Sequence, residues 1–160
     1  MSSGNRPSIR ISKEKALQKI RHFCGYQERS HKEVKDKLYT LGLWKSEVEE
    51  ILAQLIEEDY MNEERFAKTF AGGKFRMKQW GRVKIRSELK KRNVSEYCIR
   101  QALNSIDEEA YQNTMDKLAD KKLFMLKNEK NIFTKKRRLQ DWLLQKGFEY
   151  DLVNKKTAAL

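Results

Sequence analysis

Apolar residues recur three or four positions apart along most of this chain, which is the spacing of one buried face on an α-helix. The first such stripe contains Ala16, Leu17, Ile20 and Phe23 and ends near Gly25. The next two stripes are Val34, Leu38 and Leu41, followed by Val48, Ile51, Leu52, Leu55 and Ile56. Gly42 separates these two stripes, so the first sixty residues are predicted to form three helices.

Residues that cap helices stand ahead of the stripes. Ser12, Ser30 and Asn62 each offer a side-chain oxygen to the free amides of a first helical turn, and Glu33 completes a capping box with Ser30. The third helix is predicted to begin at Ser46. Because no sustained alternation of Val, Ile and Thr marks a strand, we predict an all-α protein.

The helical pattern repeats along the chain. Its second copy lies 51 residues after the first and its third copy 54 residues further on. The copies are Val34, Leu38, Gly42, Leu43, Val48 and Leu52; then Ile85, Leu89, Asn93, Val94, Ile99 and Leu103; then Leu139, Leu143, Gly147, Phe148 and Val153. Asn93 stands in the place of Gly42, and asparagine is the best substitute for glycine in a left-handed residue that ends a helix.

Each copy also has a helix before it, so the pattern indicates three tandem units of three helices. We predict a flexible tail over residues 1–11 and repeats over residues 12–59, 60–106 and 107–160. A unit of this size makes a poor core alone and should bury apolar surface against its neighbours. The expected architecture is an elongated, curved array.

Charge is distributed unevenly over the three units. The chain has a formal net charge of +12, and the stretch from Arg65 to Arg92 has eleven Lys or Arg residues against one acid, Glu88. Residues 43–64 have eight acids and one lysine, and this acidic face is either solvated or a partner for the basic stretch. Because neighbouring cations repel one another, the basic stretch is expected to meet an anionic partner.

Twelve residues are candidates for that contact, eleven of them lysine or arginine and one tryptophan. They are Lys74, Arg76, Lys78, Trp80, Arg82, Arg86, Lys90, Lys91, Lys135, Lys136, Arg137 and Arg138. Trp80 either stacks on a base or a partner surface, or anchors the local packing. Trp44 and Trp142 are predicted to lie in the core.

Catalysis and metal binding have little support. Cys24 and Cys98 are too few for a tetrahedral zinc site, and His22 with Cys24 is at most half of one. A magnesium-dependent nuclease is disfavoured because the acids lie mostly on solvated helix faces without a histidine base. The chain has no phosphate loop, no apolar run long enough for a membrane helix and no secretory signal, so we expect a cytoplasmic protein that is not an enzyme and needs no cofactor.

Two segments resemble the RecX family of bacterial regulators of the RecA recombinase. Tyr60-Met61-Asn62-Glu63-Glu64-Arg65-Phe66-Ala67 is similar to the family's tyrosine-leucine-Asn/Asp-Asp-x-Arg-Phe-Ala signature. Gly81 through Val94 resembles its stretch of glycine, basic helix, Glu-Leu, basic residue and Gly-Ile. Met61, Glu63 and Asn93 replace leucine, aspartate and glycine with residues of similar physical role. The resemblance covers residues 14–155 and is weakest in the third unit.

The resemblance implies a curved array that lodges, as a monomer, in the groove of a RecA–DNA filament. There it would lower ATP hydrolysis, strand exchange and RecA-assisted repressor cleavage, with single- and double-stranded DNA as secondary partners. An alternative is a non-specific DNA-binding protein of helix-turn-helix-like units that neutralise phosphates directly. Sequence-specific reading is not expected, because the third helix of the middle unit has Arg100 as its only cation.

Overall fold

The computed structural model describes residues 11–160, which form nine α-helices. They are α1 (Lys13–Tyr26), α2 (His31–Thr40), α3 (Lys45–Glu57), α4 (Glu63–Gly73), α5 (Arg82–Lys91), α6 (Glu96–Asn104), α7 (Glu108–Met125), α8 (Ile132–Gln145) and α9 (Tyr150–Ala158). A π-helical turn, Lys74–Lys78, continues α4. Residues 11–160 contain no strand, so the prediction of an all-α fold is confirmed.

The predicted tail falls mainly on residues 1–10, which lie outside the described residues. Ile11, its last residue, is half-buried and packs against the apolar residues of the first unit. Ser12, next along the chain, caps α1 with its side-chain oxygen, which accepts a hydrogen bond from the amide of Lys15 at 3.2 Å.

The other predicted caps are also confirmed. Ser30 accepts from the amide of Glu33 at 3.1 Å, and Asn62 accepts from the amide of Arg65 at 2.8 Å. α3 begins at Lys45, one residue before the predicted start. Trp44 occupies the N-cap position there, and its backbone N–H donates to the Glu47 carboxylate at 3.0 Å.

All three units end their second helix in the same way. Gly42, Asn93 and Gly147 have positive φ angles of 85°, 58° and 97°. In each case the amide of the next residue donates to the carbonyl five positions back, at 3.4, 3.2 and 3.2 Å respectively. This hydrogen bond, with its apolar closing residue, is the Schellman arrangement, so the predicted repeat is confirmed at its three helix ends.

The helices enclose two hydrophobic cores among the described residues. The first core belongs to α1, α2 and α3 and is closed by Met61, whose side chain is 2% exposed. The second core is shared by α4 to α9, and at its centre the buried Tyr111 ring contacts Phe75 and Phe148. The second and third units therefore form one block of structure.

The two tryptophans predicted for the core differ. Trp142 is half-buried and packs against the second core, as predicted. Trp44 is 46% exposed, so the prediction that it lies in the core is wrong. Its position explains the difference, because an N-cap residue sits at a helix entrance, where its side chain can point away from the buried stripe.

Candidate polyanion-binding surface

The segment Tyr60 to Ala67 is the joint between the two cores. Met61 closes the first core, while Phe66 and Ala67 belong to the second. Asn62, between them, caps α4 and so fixes where the new helix starts. The segment that is similar to the RecX signature therefore has a structural role at the passage from one core to the other.

Arg65 and Glu63 hold this joint together. The Arg65 guanidinium donates to the Glu28 carboxylate at 2.5 Å and to the backbone carbonyl of Asp59 at 3.0 Å, so it connects α4 to the first unit. The Glu63 carboxylate accepts from the amide of Ser95 at 2.7 Å and connects the start of α4 to the start of α6. These side chains are engaged within the protein.

The basic stretch divides into residues with internal partners and residues that face solvent. Arg82 is internal: its guanidinium pairs with Glu108 and, at 2.9 Å, with Glu149, and its Cζ lies 3.8 Å from the centroid of the Tyr111 ring. Tyr111 donates to Glu149 and accepts from the Arg82 amide at 3.0 Å. Burial, and then the hydrogen bond to Glu149, raise the pKa of Tyr111, which therefore stays protonated.

Two further candidates are partly neutralised. Arg86 pairs with Glu96, and this hydrogen bond lowers the pKa of the Glu96 carboxyl. Lys91 pairs with Glu88 at 3.2 Å, and Glu88 also binds Arg92 at 3.0 Å. Lys90, on the same helix, is exposed to solvent. The outer face of α5 consequently has a lower effective charge than its sequence indicates.

Trp80 lies between two lysines at the turn into α5. The ammonium groups of Lys74 and Lys84 are 5.1 and 4.6 Å from its ring centroid, within cation–π range. The ring is half-buried and packs against the second core. The half-buried ring therefore supports both interpretations of Trp80. Its buried part anchors local packing, and its exposed part is accessible to a base or a partner surface.

Trp142 on α8 has the same arrangement. The ammonium groups of Lys122 and Lys146 lie 5.5 and 5.7 Å from its ring centroid. The Gly81 amide, next to Trp80, donates to the Lys146 carbonyl at 2.8 Å, so the two clusters meet where α5 begins and α8 ends. We define the lysine–tryptophan strip as Lys74, Trp80, Lys84, Lys146, Trp142 and Lys122.

Sequence reasoning missed Lys84, Lys122 and Lys146. Lys84 stands within the basic stretch, four residues after Trp80, so the sequence contained a signal for it. Lys146 lies one helical turn after Trp142, but Lys122 lies on α7, and nothing local indicated that α7 would bring it to Trp142 or that the end of α8 would meet Gly81.

The remaining predicted residues lie at two places. Arg76 and Lys78 are exposed on the π-helical turn. On α8, Lys135 and Lys136 are half-buried, while Arg137 and Arg138 are exposed, with Arg138 at 3.8 Å from the Glu129 carboxylate. Of the twelve predicted residues, Lys74 and Trp80 belong to the lysine–tryptophan strip. Arg82 instead lies in the internal network with Glu108, Tyr111 and Glu149.

The described part of the chain was also compared with the geometry that a metal site, a cysteine pair or a membrane helix requires. Residues 11–160 contain no group of three or more His, Cys, Asp or Glu residues placed to hold a metal ion. Cys24 and Cys98 are buried free thiols, one in each core. No helix in the same range is long and apolar enough to cross a membrane.

Comparison with known proteins agrees with the repeat structure. Two family models match, one for the RecX second three-helix domain over residues 62–103 and one for the RecX third three-helix domain over residues 108–156. Together they cover more than half of the chain. The boundary between the matches coincides with the start of α7.

Proteins similar to this chain in sequence have the same family name as the two matching domain models, RecX. The chain is 33% identical over 127 residues to a protein called Regulatory protein RecX from Clostridium perfringens (strain 13 / Type A), a match that covers 79% of this chain and 59% of the relative. It is 29% identical over 143 residues to Regulatory protein RecX from Bacillus licheniformis, covering 88% and 53% respectively. The chain thus spans a little over half the length of these relatives.

Solved structures share the fold. A crystal structure of RecX from Lactobacillus salivarius superposes with a TM-score of 0.83 at 23% identity, covering 92% of this chain and 97% of the other. A second crystal structure, of a regulatory protein RecX, has a TM-score of 0.80 at 22% identity, with 89% and 70% covered.

Proposed function

The chain belongs to the RecX family of regulatory proteins, and from this premise we propose that it binds RecA–DNA filaments and lowers their ATP hydrolysis. The proposal extends to strand exchange and to RecA-assisted repressor cleavage, and it places the protein in the cytoplasm as a monomer with roles in DNA repair and the SOS response. DNA alone is then a secondary, non-specific partner.

The observation that carries the proposal is the lysine–tryptophan strip. It runs across the contact between the second and third units, which are the units that the family models match. Its four ammonium groups lie over aromatic rings, and no ion pair with an acid is seen for Lys74, Lys84, Lys122 or Lys146 within residues 11–160. Such cations remain available to DNA phosphates or to the carboxylates of a filament surface.

The shared core supports a rigid presentation of this strip. Because α4 to α9 enclose one core, both tryptophans of the strip pack against the same block of structure. Binding therefore costs little ordering of the backbone, which favours a fixed periodic surface such as a filament groove. Arg76, Lys78, Lys90, Lys91 and the cations of residues 135–138 would extend the contact, whereas Arg82 is assigned to the interior.

The test is the ATPase rate of RecA on single-stranded DNA, measured with increasing amounts of this protein. We expect the rate to fall, and we expect no ATP turnover when RecA is left out. An unchanged RecA rate at a saturating concentration of the protein would contradict the proposal.

Non-specific DNA binding is the second candidate, because lysines beside half-buried tryptophans also suit phosphates and unpaired bases. Co-sedimentation separates the two. At matched salt, a filament regulator pellets with RecA filaments more completely than with the same amount of bare single-stranded DNA held on beads. Equal retention on both would favour the second candidate.

A further inference from the structure

A cleft of about 480 Å³ lies on the first unit, away from the lysine–tryptophan strip. Its walls come from α1, from the segment that follows α1 and from α2. It shares no residue with the strip, and it lies outside the ranges that the family models match. Its volume is within the range of about 300 to 1,000 Å³ that small-molecule sites have.

The cleft is lined by cations and by no acid. Lys19, Arg29 and Lys37 supply three positive charges, and His22 adds an imidazole. Glu33 forms an ion pair with the Arg29 guanidinium at 3.8 Å and so partly neutralises it, but Glu33 does not line the cleft, and no ion pair is seen for Lys19 or Lys37 within residues 11–160. An anion is therefore the favoured occupant.

Aromatic rings supply the apolar part of the cleft. The Arg29 Cζ lies 3.7 Å from the centroid of the Phe23 ring, and the Lys37 ammonium lies 5.8 Å from the same centroid. Arg29 also donates to the Phe23 carbonyl at 3.1 Å, so its guanidinium is held in place before any ligand arrives. Tyr26 is 78% exposed and leaves a ring face open to solvent.

Three cations beside an open aromatic ring, one of them held in place, fit a ligand that has a planar apolar body and a phosphate. An extended acidic peptide fits less well, because helix walls satisfy their own backbone groups and offer no main-chain hydrogen bonds to a peptide. We propose that this cleft binds an unpaired nucleotide of a single-stranded nucleic acid. The base stacks on Tyr26, and Lys19, Arg29 and Lys37 hold the adjoining phosphates.

The test uses the whole chain, no recombinase and a fluorescent dT12 oligonucleotide, with binding measured by anisotropy. Tyr26→Ala is expected to weaken binding about tenfold, the loss of one stacked base. Tyr97→Ala is the matched control, since Tyr97 is 56% exposed on α6, and it should bind as the wild type does. Lys37→Glu should weaken binding more than Lys35→Glu, which changes an exposed lysine on the same helix outside the cleft.

Three comparisons complete the test. The wild type should prefer dT12 to an abasic strand of equal length, and Tyr26→Ala should abolish that preference; a U12 strand shows whether ribose is accepted. Equal loss from Tyr26→Ala and Tyr97→Ala, or equal binding of dT12 and the abasic strand, would overturn the proposal. Displacement of dT12 by an Asp-rich peptide with a central phenylalanine, without a base preference, would make the cleft a peptide site instead. Because RecA is absent, these results do not depend on the regulatory function.

Discussion

Gly81 and Gly147 meet backbone to backbone where the second unit contacts the third. The Gly81 amide donates to the Lys146 carbonyl at 2.8 Å, and the Val83 amide donates to the Gly147 carbonyl at 2.9 Å. A Cβ atom on Gly81 would lie 2.3 Å from the Gly147 carbonyl carbon and oxygen, and one on Gly147 would lie 2.3 Å from the Lys84 Cβ. Only two glycines allow this approach.

Replacement of Gly81 by alanine should therefore destabilise the protein. The added methyl group would push apart backbone atoms that cannot move independently, at an expected cost of about 1–3 kcal/mol in the free energy of unfolding. Gly73→Ala is the control, because a Cβ there meets nothing within 4 Å and alanine favours the helix. Urea unfolding followed by circular dichroism measures both; equal midpoints for the two variants would contradict the prediction.

Charge reversal within the lysine–tryptophan strip should weaken filament binding. The triple variant Lys84→Glu, Lys122→Glu, Lys146→Glu is expected to lose at least about tenfold in affinity, because three cations become anions facing a polyanion. Binding by the wild type should also weaken steeply as salt rises. Co-sedimentation with RecA–DNA filaments provides the measurement.

The matched control for that variant reverses three exposed lysines elsewhere, Lys15, Lys35 and Lys155. Both variants have the same net charge, so a general electrostatic effect would weaken them equally. Helical signal and melting temperature should remain near wild type in each. Equal loss of affinity in the two variants would remove the strip as a specific surface.

Arg82 and Lys90 should behave differently although both are basic residues of α5. Arg82→Ala removes the guanidinium that pairs with Glu149 and lies over the buried Tyr111 ring. The loss should cost about 1–3 kcal/mol in the free energy of unfolding, a range already reduced for the partial exposure of these groups. Lys90→Ala changes an exposed side chain and should stay within about 0.5 kcal/mol of wild type. Thermal melting of the two variants tests this, and a stable Arg82→Ala protein would refute the internal role.

The Glu108 carboxyl should contribute stability that depends on pH. Hydrogen bonds from Gln112 and from Arg82 hold its pKa below the ordinary value of about 4.3. A carboxyl whose pKa is lower in the folded state stabilises the fold above its ordinary pKa, and this stabilisation is lost as pH falls through the lowered value. Glu108→Gln should melt below the wild type at pH 6, and the gap should narrow towards pH 3. A gap that widens in acid would show the opposite sign.

Asn93 offers a test of the left-handed helix end. Its φ of 58° suits glycine best, so Asn93→Gly should leave stability unchanged or raise it slightly. Asn93→Ala should cost about 1–2 kcal/mol, because a Cβ without a local hydrogen-bonding group is strained there. Chemical unfolding of the pair decides the matter; indistinguishable stabilities would mean that Asn93 is held there by other contacts.

Local patterns in the sequence determined the helices, most of their boundaries and the repeat. Ser12, Ser30 and Asn62 act within one turn of their own position, so their roles as caps were readable without a fold. The same holds for Gly42, Asn93 and Gly147, since a left-handed residue is a property of a few neighbouring dihedral angles. Trp44 departed from expectation because capping and packing compete at a helix start.

Only the tertiary structure decided which cations face outward. Arg82, Lys84 and Arg86 are equivalent in a charge count, yet Arg82 lies against Tyr111, Lys84 over Trp80 and Arg86 beside Glu96. The distance in sequence to these partners ranges from four positions, for Lys84 and Trp80, to 67 positions, for Arg82 and Glu149. The local hydrophobic periodicity does not predict long-range contacts of this kind, because they depend on which helix faces pack together.

The number of cores was also decided by tertiary packing. The sequence indicated three similar units, but the contact of Gly81 with Gly147 lets α4 to α9 close around one core while α1 to α3 close around another. The same packing made Lys146 a neighbour of the turn that holds Trp80 and placed Lys122 over Trp142. It also collected Lys19, Arg29 and Lys37 into a cleft on the least basic unit. Helical periodicity predicts which face of each helix is buried. Which other helices cover that face, and what surface they form together, is determined only by how the helices pack.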